Sequence, residues 1–347
     1  GGKKIMEKRN VTVYDIAKEA NVSPATVSRV LTGNARVSEE KRKSVEEIIE
    51  KYNFQPNAIA RSLFKKQTKI IGFVLPDITN PFFSTVYLGI EKYAVNAGYT
   101  MMLCDSMSSH ELEFTHLRTL AEKQVDAIVF MGGRVNEVKT NPKYADEMNQ
   151  ILARTPIVIV NGKMTGVDCY KIVTDEEKGI AQLVDYLVSL GHREIGILGG
   201  TSNVTATKIK HEAFAKALSK HKIEVNKRWI ITKGFSMESG YECMRRLLMM
   251  KERPTAVLTI SDFVAIGAIR AAKEAGLRVP QDISITGFDG TYISEIIDPH
   301  LTTVSQNYNA IGKAIIETID EIVDGKMPQK EKIIDFFKTI VESGFLI

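Results

Sequence analysis

The chain has 347 residues, 44% of them hydrophobic and 25% charged, too long for one ordinary core and suggestive of two or three domains. No apolar run is long enough to span a membrane, and Cys104, Cys169 and Cys243 lack metal or disulfide-framework spacing, which fits a reducing cytoplasm. The net charge of +4 is unevenly spread, with 15 Lys or Arg against 8 Asp or Glu in residues 1–69 and 31 against 34 in the remainder. A basic head on a slightly acidic body is the electrostatic footprint of a nucleic-acid-binding module joined to a second function. Gly1 to Asn10 is polar and basic and spells no secretory signal, which again points to the cytoplasm.

Thr12 and Asp15 form a helix-start signal, and Val13, Ile16, Ala17 and Ala20 recur at helical spacing. Asn21 suits a sharp turn. Ser23 and Pro24 then read as N-cap and first position of a second helix with Val27, Val30 and Leu31 on its apolar face. Two short helices joined by a tight turn make a helix-turn-helix. In that motif the start of the second helix enters the major groove, placing Pro24, Ala25, Ser28 and Arg29 near base edges or phosphates. Ser38 opens a third helix with Val45, Ile48, Ile49 and Tyr52 on its apolar side. Pro56 ends that segment, Asn57 caps a new one, and residues 58–63 propagate a helix of about two turns, too short to be stable alone.

This stretch resembles the DNA-binding headpiece of the lactose/galactose repressor family of bacterial transcription regulators. The matching residues are Val11 to Ala17, Val22-Ser23, Thr26 to Val30, and Phe54-Gln-Pro56-Asn57 with Ala60 and Leu63. The resemblance continues to about residue 343. It implies that Thr12, Tyr14, Ser23 and Thr26 join the DNA-contacting set. It also implies that Asn57, Ala60 and Leu63 belong to a hinge helix that forms on DNA, where paired leucines wedge into the central base step from the minor groove.

From Lys69 buried strands and amphipathic helices alternate, the pattern of doubly wound parallel sheets. Strands are expected at 70–75, 100–104, 127–131, 157–160, 195–198, 230–232, 256–259, 283–285 and 301–304. The expected architecture is a small all-α helix-turn-helix headpiece plus an α/β bilobed body of two such sheets, periplasmic-binding-protein-like. The expected domains are the headpiece (10–55), a hinge (56–68), a first lobe (69–162 with 307–325) and a second lobe (163–306 with 326–347). Three crossovers would make the lobes a hinged pair.

Ligands of such sheets sit beyond the carboxyl ends of the strands. The residues there are Asp77, Asn80, Phe82, Phe83 and Asn161 in the first lobe, and Lys210, Asp262, Asp289 and Gln306 in the second. Carboxylates, amides and aromatic rings suit a small polar effector such as a sugar, sugar phosphate or nucleoside. The resembling family's sugar-binding members usually carry arginine where Lys210 stands, and a lysine cation there would favour an anionic or phosphorylated compound over a neutral sugar. The branch controlled by a phosphorylated carrier protein uses a basic residue where this chain has Glu317, so a protein corepressor is disfavoured. Gly199-Gly200 is only a weak echo of a phosphate loop, and neither a nucleophile elbow nor metal-spaced histidines appear, so no catalytic residue, metal or cofactor is assigned. A solute-binding protein would share the bilobed body but not the basic headpiece. The expectation is a homodimeric repressor, since the family's tetramer-forming tail is absent. Its partners would be double-stranded operator DNA and an effector, with no membrane, and its place the bacterial nucleoid.

Overall fold

The computed structural model describes residues 11–31, 37–54, 67–336 and 340–341. The chain divides into two compact units at Thr68 and Lys69. The first holds helices α1 (Val13–Glu19), α2 (Pro24–Leu31) and α3 (Glu39–Lys51). Thr12 and Asp15 start α1 through a reciprocal capping box, the Asp15 carboxylate accepting from the Thr12 N–H at 2.9 Å. Asn21 turns the chain at a φ of 51°, and the Ser23 hydroxyl accepts from the Thr26 N–H at 3.2 Å to start α2. Ile16, Ala17, Val27, Val30, Val45 and Ile48 close one small core.

The second unit builds two sheets. The first contains β1 (Ile70–Leu75), β2 (Thr100–Asp105), β3 (Ala127–Met131), β4 (Ile157–Val160), β5 (Tyr170–Thr174) and β11 (Glu331–Ile334). Their order is β2-β1-β3-β4-β5-β11, with every neighbouring pair parallel. Helices α4 (Pro81–Asn96) and α12 (Tyr308–Val323) cover one face, and α5 (His110–Glu122) and α6 (Pro142–Leu152) the other. Being covered on both sides, β1, β3 and β4 are almost wholly buried apolar runs.

The second sheet repeats the plan with β6 (Ile195–Leu198), β7 (Ile230–Ile231), β8 (Ala256–Thr259) and β9 (Ser284–Thr286) in the order β7-β6-β8-β9. Helices α7 (Glu176–Ser189) and α8 (Thr205–Lys220) pack on one side, α9 (Met237–Leu248) and α10 (Asp262–Glu274) on the other. After the single turn α11 (Ile293–Ile296), β10 (Thr303–Val304) runs beside the chain that leaves β9. There it pairs antiparallel with β12 (Ile340–Val341).

The sheets correct the lobe boundaries expected at 162/163 and 325/326. Tyr170–Thr174 and Glu331–Ile334 both add to the first sheet, Tyr170 opposite Val158 and Glu331 opposite Lys171. Phe336 then packs in the core of the second lobe, and Ile340–Val341 pairs with β10 there. No helix separates β4 from β5, so strand–helix alternation gives no sign of β5. The edge strand β11 alternates exposed and half-buried residues instead of forming an apolar run. Several helices also begin ahead of their apolar pattern. Asn80 caps α4 by accepting from the Phe82 N–H, and Ser261 caps α10 by accepting from the Val264 N–H.

Helices α4 and α12 cross at two glycines. A Cβ on Gly312 would lie 2.2 Å from the Gly89 carbonyl oxygen, a backbone atom that cannot swing away. In an open helix Gly→Ala stabilises by about 1 kcal/mol. Gly312→Ala is expected to reverse that sign and destabilise the body by about 1–3 kcal/mol through overpacking, measured by urea unfolding.

Candidate functional site

In the first unit the buried stripe of α2, Val27 and Val30, leaves the other side of the helix outward. Pro24, Ala25 and Arg29 are exposed and Thr26 and Ser28 half-buried. Tyr14 on α1 is 75% exposed, unusual for an aromatic ring. The hydroxyls of Thr12 and Ser23 hold the two helix starts. Tyr14 on α1 and Pro24, Ala25 and Arg29 on α2 are thus all open to solvent. Asn57, Ala60 and Leu63 lie outside the described residues.

In both sheets of the second unit the strand order reverses beside the first strand, between β1 and β3 and between β6 and β8. Carboxyl ends at such a switch point open a crevice. Here the two crevices share one cavity of 460 Å³, bordered by Pro76 and Asp77 after β1, Gly132 after β3, and Ile260 and Ser261 after β8. Asp77, Asn80, Phe82, Phe83, Asn161, Lys210, Asp289 and Gln306 all line it. Asn80 also caps α4, its Oδ1 accepting from the Phe82 N–H at 3.1 Å. That cap aims the first turn of α4 at the cavity, and Phe82 and Phe83 come with it, their ring centroids 5.2 Å apart.

Gln306 ties the lobes together behind the cavity. Its Nε2 donates to Asp289 Oδ1 at 2.6 Å, and its Oε1 accepts from Asn161 Nδ2 and from the Thr174 hydroxyl, both at 3.0 Å. Thr174 ends β5 of the first sheet, whereas Asp289 follows β9 of the second. Asp289 has a φ of 119°, which costs about 1–3 kcal/mol and persists only where its surroundings fix it. Three bonds do so: its N–H donates to Val304 O at 3.1 Å, and its carbonyl accepts from the Gln306 N–H at 3.1 Å and the Tyr308 hydroxyl at 2.8 Å. Burial pushes the Asp289 carboxyl well above the usual carboxylate range, with Lys210 opposing and Asp262 adding to the shift.

Two nominated residues behave differently from expectation. Lys210 lines the cavity already paired. Its Nζ lies 3.3 Å from Glu176 Oε1, donates to Ile260 O at 2.9 Å and sits 3.8 Å from the centre of the Phe288 ring. Asp262 does not line the cavity at all. It is 1% exposed, and its carboxylate accepts from the Thr291 N–H at 2.7 Å and from the hydroxyls of Thr291 and Thr303 at 2.9 and 2.6 Å. Ser261 takes the capping position of α10, so the next side chain turns inward to tie the helix start to the Thr291 loop and β10.

The cavity wall also contains residues that a strand-end reading passes over: His110, Asn136, Glu137, Glu176, Phe235 and Phe263. His110 and Glu176 open helices α5 and α7, and Asn136 and Glu137 belong to the turn after β3. They arrive several residues beyond their strands, so a search along first turns and capping positions would have found them. With them, the carboxylates of Asp77, Glu137, Glu176 and Asp289 outnumber Lys210 on the wall. Among the described residues no cluster of His, Cys, Asp and Glu is placed to hold a metal ion.

Burial pushes the Asp262 carboxyl up to about 6 from 3.8, against its three donors and Lys210. A carboxyl raised in the native state binds its proton more tightly there than in the unfolded chain. The associated stability is therefore present below about pH 4 and lost as pH rises through 6. The shift corresponds to at most about 3 kcal/mol. Asp262→Asn is expected to gain stability relative to the wild type between pH 4 and 7 by up to that amount, read from denaturant unfolding of both proteins at each pH.

Residues 12–57 match the model of the lacI family of bacterial regulatory proteins, and residues 184–342 that of a periplasmic binding protein-like domain. The chain is 34% identical over 333 residues to catabolite control protein A of Priestia megaterium, covering 94% of this chain and 98% of that protein. It is 35% identical over 318 residues to the HTH-type transcriptional repressor PurR of Photobacterium profundum, covering 91% of this chain and 92% of the relative. The lac repressor dimer bound to operator and the anti-inducer ONPF superposes with a TM-score of 0.80 at 26% identity, over 94% of this chain and 97% of that one. A headpiece built on a helix-turn-helix, a body of two doubly wound sheets and relatives matched along almost their whole length agree: the chain belongs to the lacI family of bacterial regulatory proteins, and is a DNA-binding transcriptional repressor and not an enzyme.

Proposed function

We propose that this repressor acts as a homodimer whose affinity for a pseudo-palindromic operator is set by a small, uncharged, hydroxyl-rich effector bound in the 460 Å³ cavity. The observation that carries the reading is the placement of Asp289, Gln306 and Asn161. One hydrogen-bonded chain of groups both lines the cavity and joins the two sheets, so a ligand that engages it acts on the lobe orientation directly. A ligand can shift the operator-binding equilibrium only by its differential affinity for the two lobe arrangements. Nucleosides and sugars fit the cavity by size and by its mixture of amides, carboxylates and phenylalanine rings. The charge balance argues against an anionic effector, since Lys210 is already paired with Glu176 and the carboxylates of Asp77 and Glu137 face the same space.

The similarity to catabolite control protein A raises control by a protein partner as a second reading. Helix α12 offers little to a phosphorylated surface: Glu317 is exposed and pairs with Lys313 at 3.7 Å, and Asp320 accepts from the Tyr99 hydroxyl at 2.9 Å. A small effector is the better supported control. Dimerisation is supported by the first lobe, where the edge strand β2 and helix α4 leave Leu88, Val95 and Leu103 exposed. Each protomer would place α2 in the major groove of one half-site, with Asn57, Ala60 and Leu63 in the minor groove between them.

Arg29→Ala is expected to weaken operator binding by about 1–3 kcal/mol, measured by fluorescence anisotropy. Wild-type affinity that ignores salt would contradict the phosphate-contact part of the reading. Asp289→Ala is expected to keep binding operator while losing roughly ten- to a hundredfold in effector affinity, the cost of leaving a buried hydrogen-bonding group unpaired. Calorimetry on a compound found by thermal-shift screening decides it. An unchanged affinity would place the effector elsewhere.

A further inference from the structure

Apart from the three crossovers, the lobes meet at a second place, where the protein clasps itself across the cavity. The tight turn Gly133–Asn136 after β3 continues into Glu137 and Val138 and reaches the loop that precedes α8 in the other lobe. Glu137 and Val204 form an antiparallel bridge, and the Val138 N–H donates to Asn203 O at 2.9 Å. Asn136 Oδ1 accepts from the Ala206 N–H at 3.4 Å. That last contact fills a gap in α8. The residue before the helix is Val204, whose side chain has no acceptor, so an orphan N–H of its first turn is satisfied from the opposite lobe.

The first-lobe half of the clasp is rigidly founded. Arg134, in the same turn, is 1% exposed and pairs with Glu113 at 2.8 Å and Glu147 at 2.5 Å. Its guanidinium also lies 4.4 Å from the centre of the Tyr144 ring. A Cβ on Gly133 would fall 1.6 Å from Glu113 Oε1, so the turn and the ion pair fit only because glycine stands there. Asn136, Glu137 and Asn203 border the cavity as well as joining the lobes.

We propose that Asn136–Val138 is the gate of the cavity. It is a clasp that ties the lobes together at the rim of the cavity through protein contacts alone, and its opening widens the way in for a ligand. Opening breaks the Val138 and Ala206 bonds together, because both cross the same gap. That the gated space is the effector site rests on the reading above, but the clasp itself can be tested without any effector.

The test is residue-resolved hydrogen exchange on the ligand-free full chain, by mass spectrometry with electron-transfer fragmentation. In the wild type the Val138 and Ala206 amides are expected to be protected at least about a hundredfold over an unstructured chain and to exchange with a common opening equilibrium. Asn136→Ala should speed both by at least about tenfold, while the Thr174 and Gln306 amides keep their rates. Asn136→Asp, which retains the acceptor, should restore protection. Unprotected Val138 or Ala206 in the wild type would overturn the proposal, as would an Asn136→Ala protein in which Ala206 quickens and Val138 does not. Failure of the effector assays with the clasp protected would instead count only against the ligand reading.

Discussion

The body depends on how Gln306 satisfies three polar partners at once. Its amide is 1% exposed, and it donates to Asp289 of one lobe while accepting from Asn161 and Thr174 of the other. A buried polar group left without a partner costs about as much as a lost hydrogen bond, or more. The lobes therefore cannot slide past one another by small amounts without leaving several such groups unmatched. Networks of this kind favour a few discrete arrangements over a continuous range. That discreteness is what a binding event needs if it is to be read out at a distance. The strained backbone of Asp289, held by bonds from Val304, Gln306 and Tyr308, concentrates the device at one residue.

Charge refines the picture. Lys210 reaches the same space and is held by Glu176, the Ile260 carbonyl and the Phe288 ring. In that setting it serves as the internal counter-ion that lets Asp289 and Glu176 lie close together in a buried site. A lysine can do this with a point charge, whereas an arginine would present a planar fork to the ligand. Replacing one buried charge therefore alters the whole cluster.

Much of this was legible in the sequence, and the reasons for the rest are physical. The headpiece could be read because capping signals and apolar spacing coincide at Thr12, Asp15, Ser23 and Val27. The sheets could be read because strands covered on both faces are written as apolar runs, as in Ile70–Leu75. The rule that ligands collect at strand ends named Asp77, Asn80, Phe83, Asn161, Asp289 and Gln306, all of which line one cavity. The same rule failed for Asp262, since a capping serine beside it rotates the side chain inward. It also passed over His110 and Glu137, which come to the wall from a helix start and a turn. Strand β5 escaped because no helix precedes it, and β11 because half of its residues face solvent. The partner of Lys210 is far away in the chain, and no local pattern records an ion pair between residues 176 and 210.

The proposed control requires that cavity and operator be energetically linked through the lobes. Linkage is reciprocal: the factor by which effector changes operator affinity equals the factor by which operator changes effector affinity. The most direct measurement is therefore effector affinity on the full chain, with and without saturating operator duplex. Its ligand is the uncharged sugar or nucleoside that gives the largest thermal shift. The account predicts that the two affinities differ by about 5–150-fold, the usual range of such coupling, and that the same factor appears when operator affinity is titrated with effector. Equal effector affinities in the presence and absence of operator would contradict it.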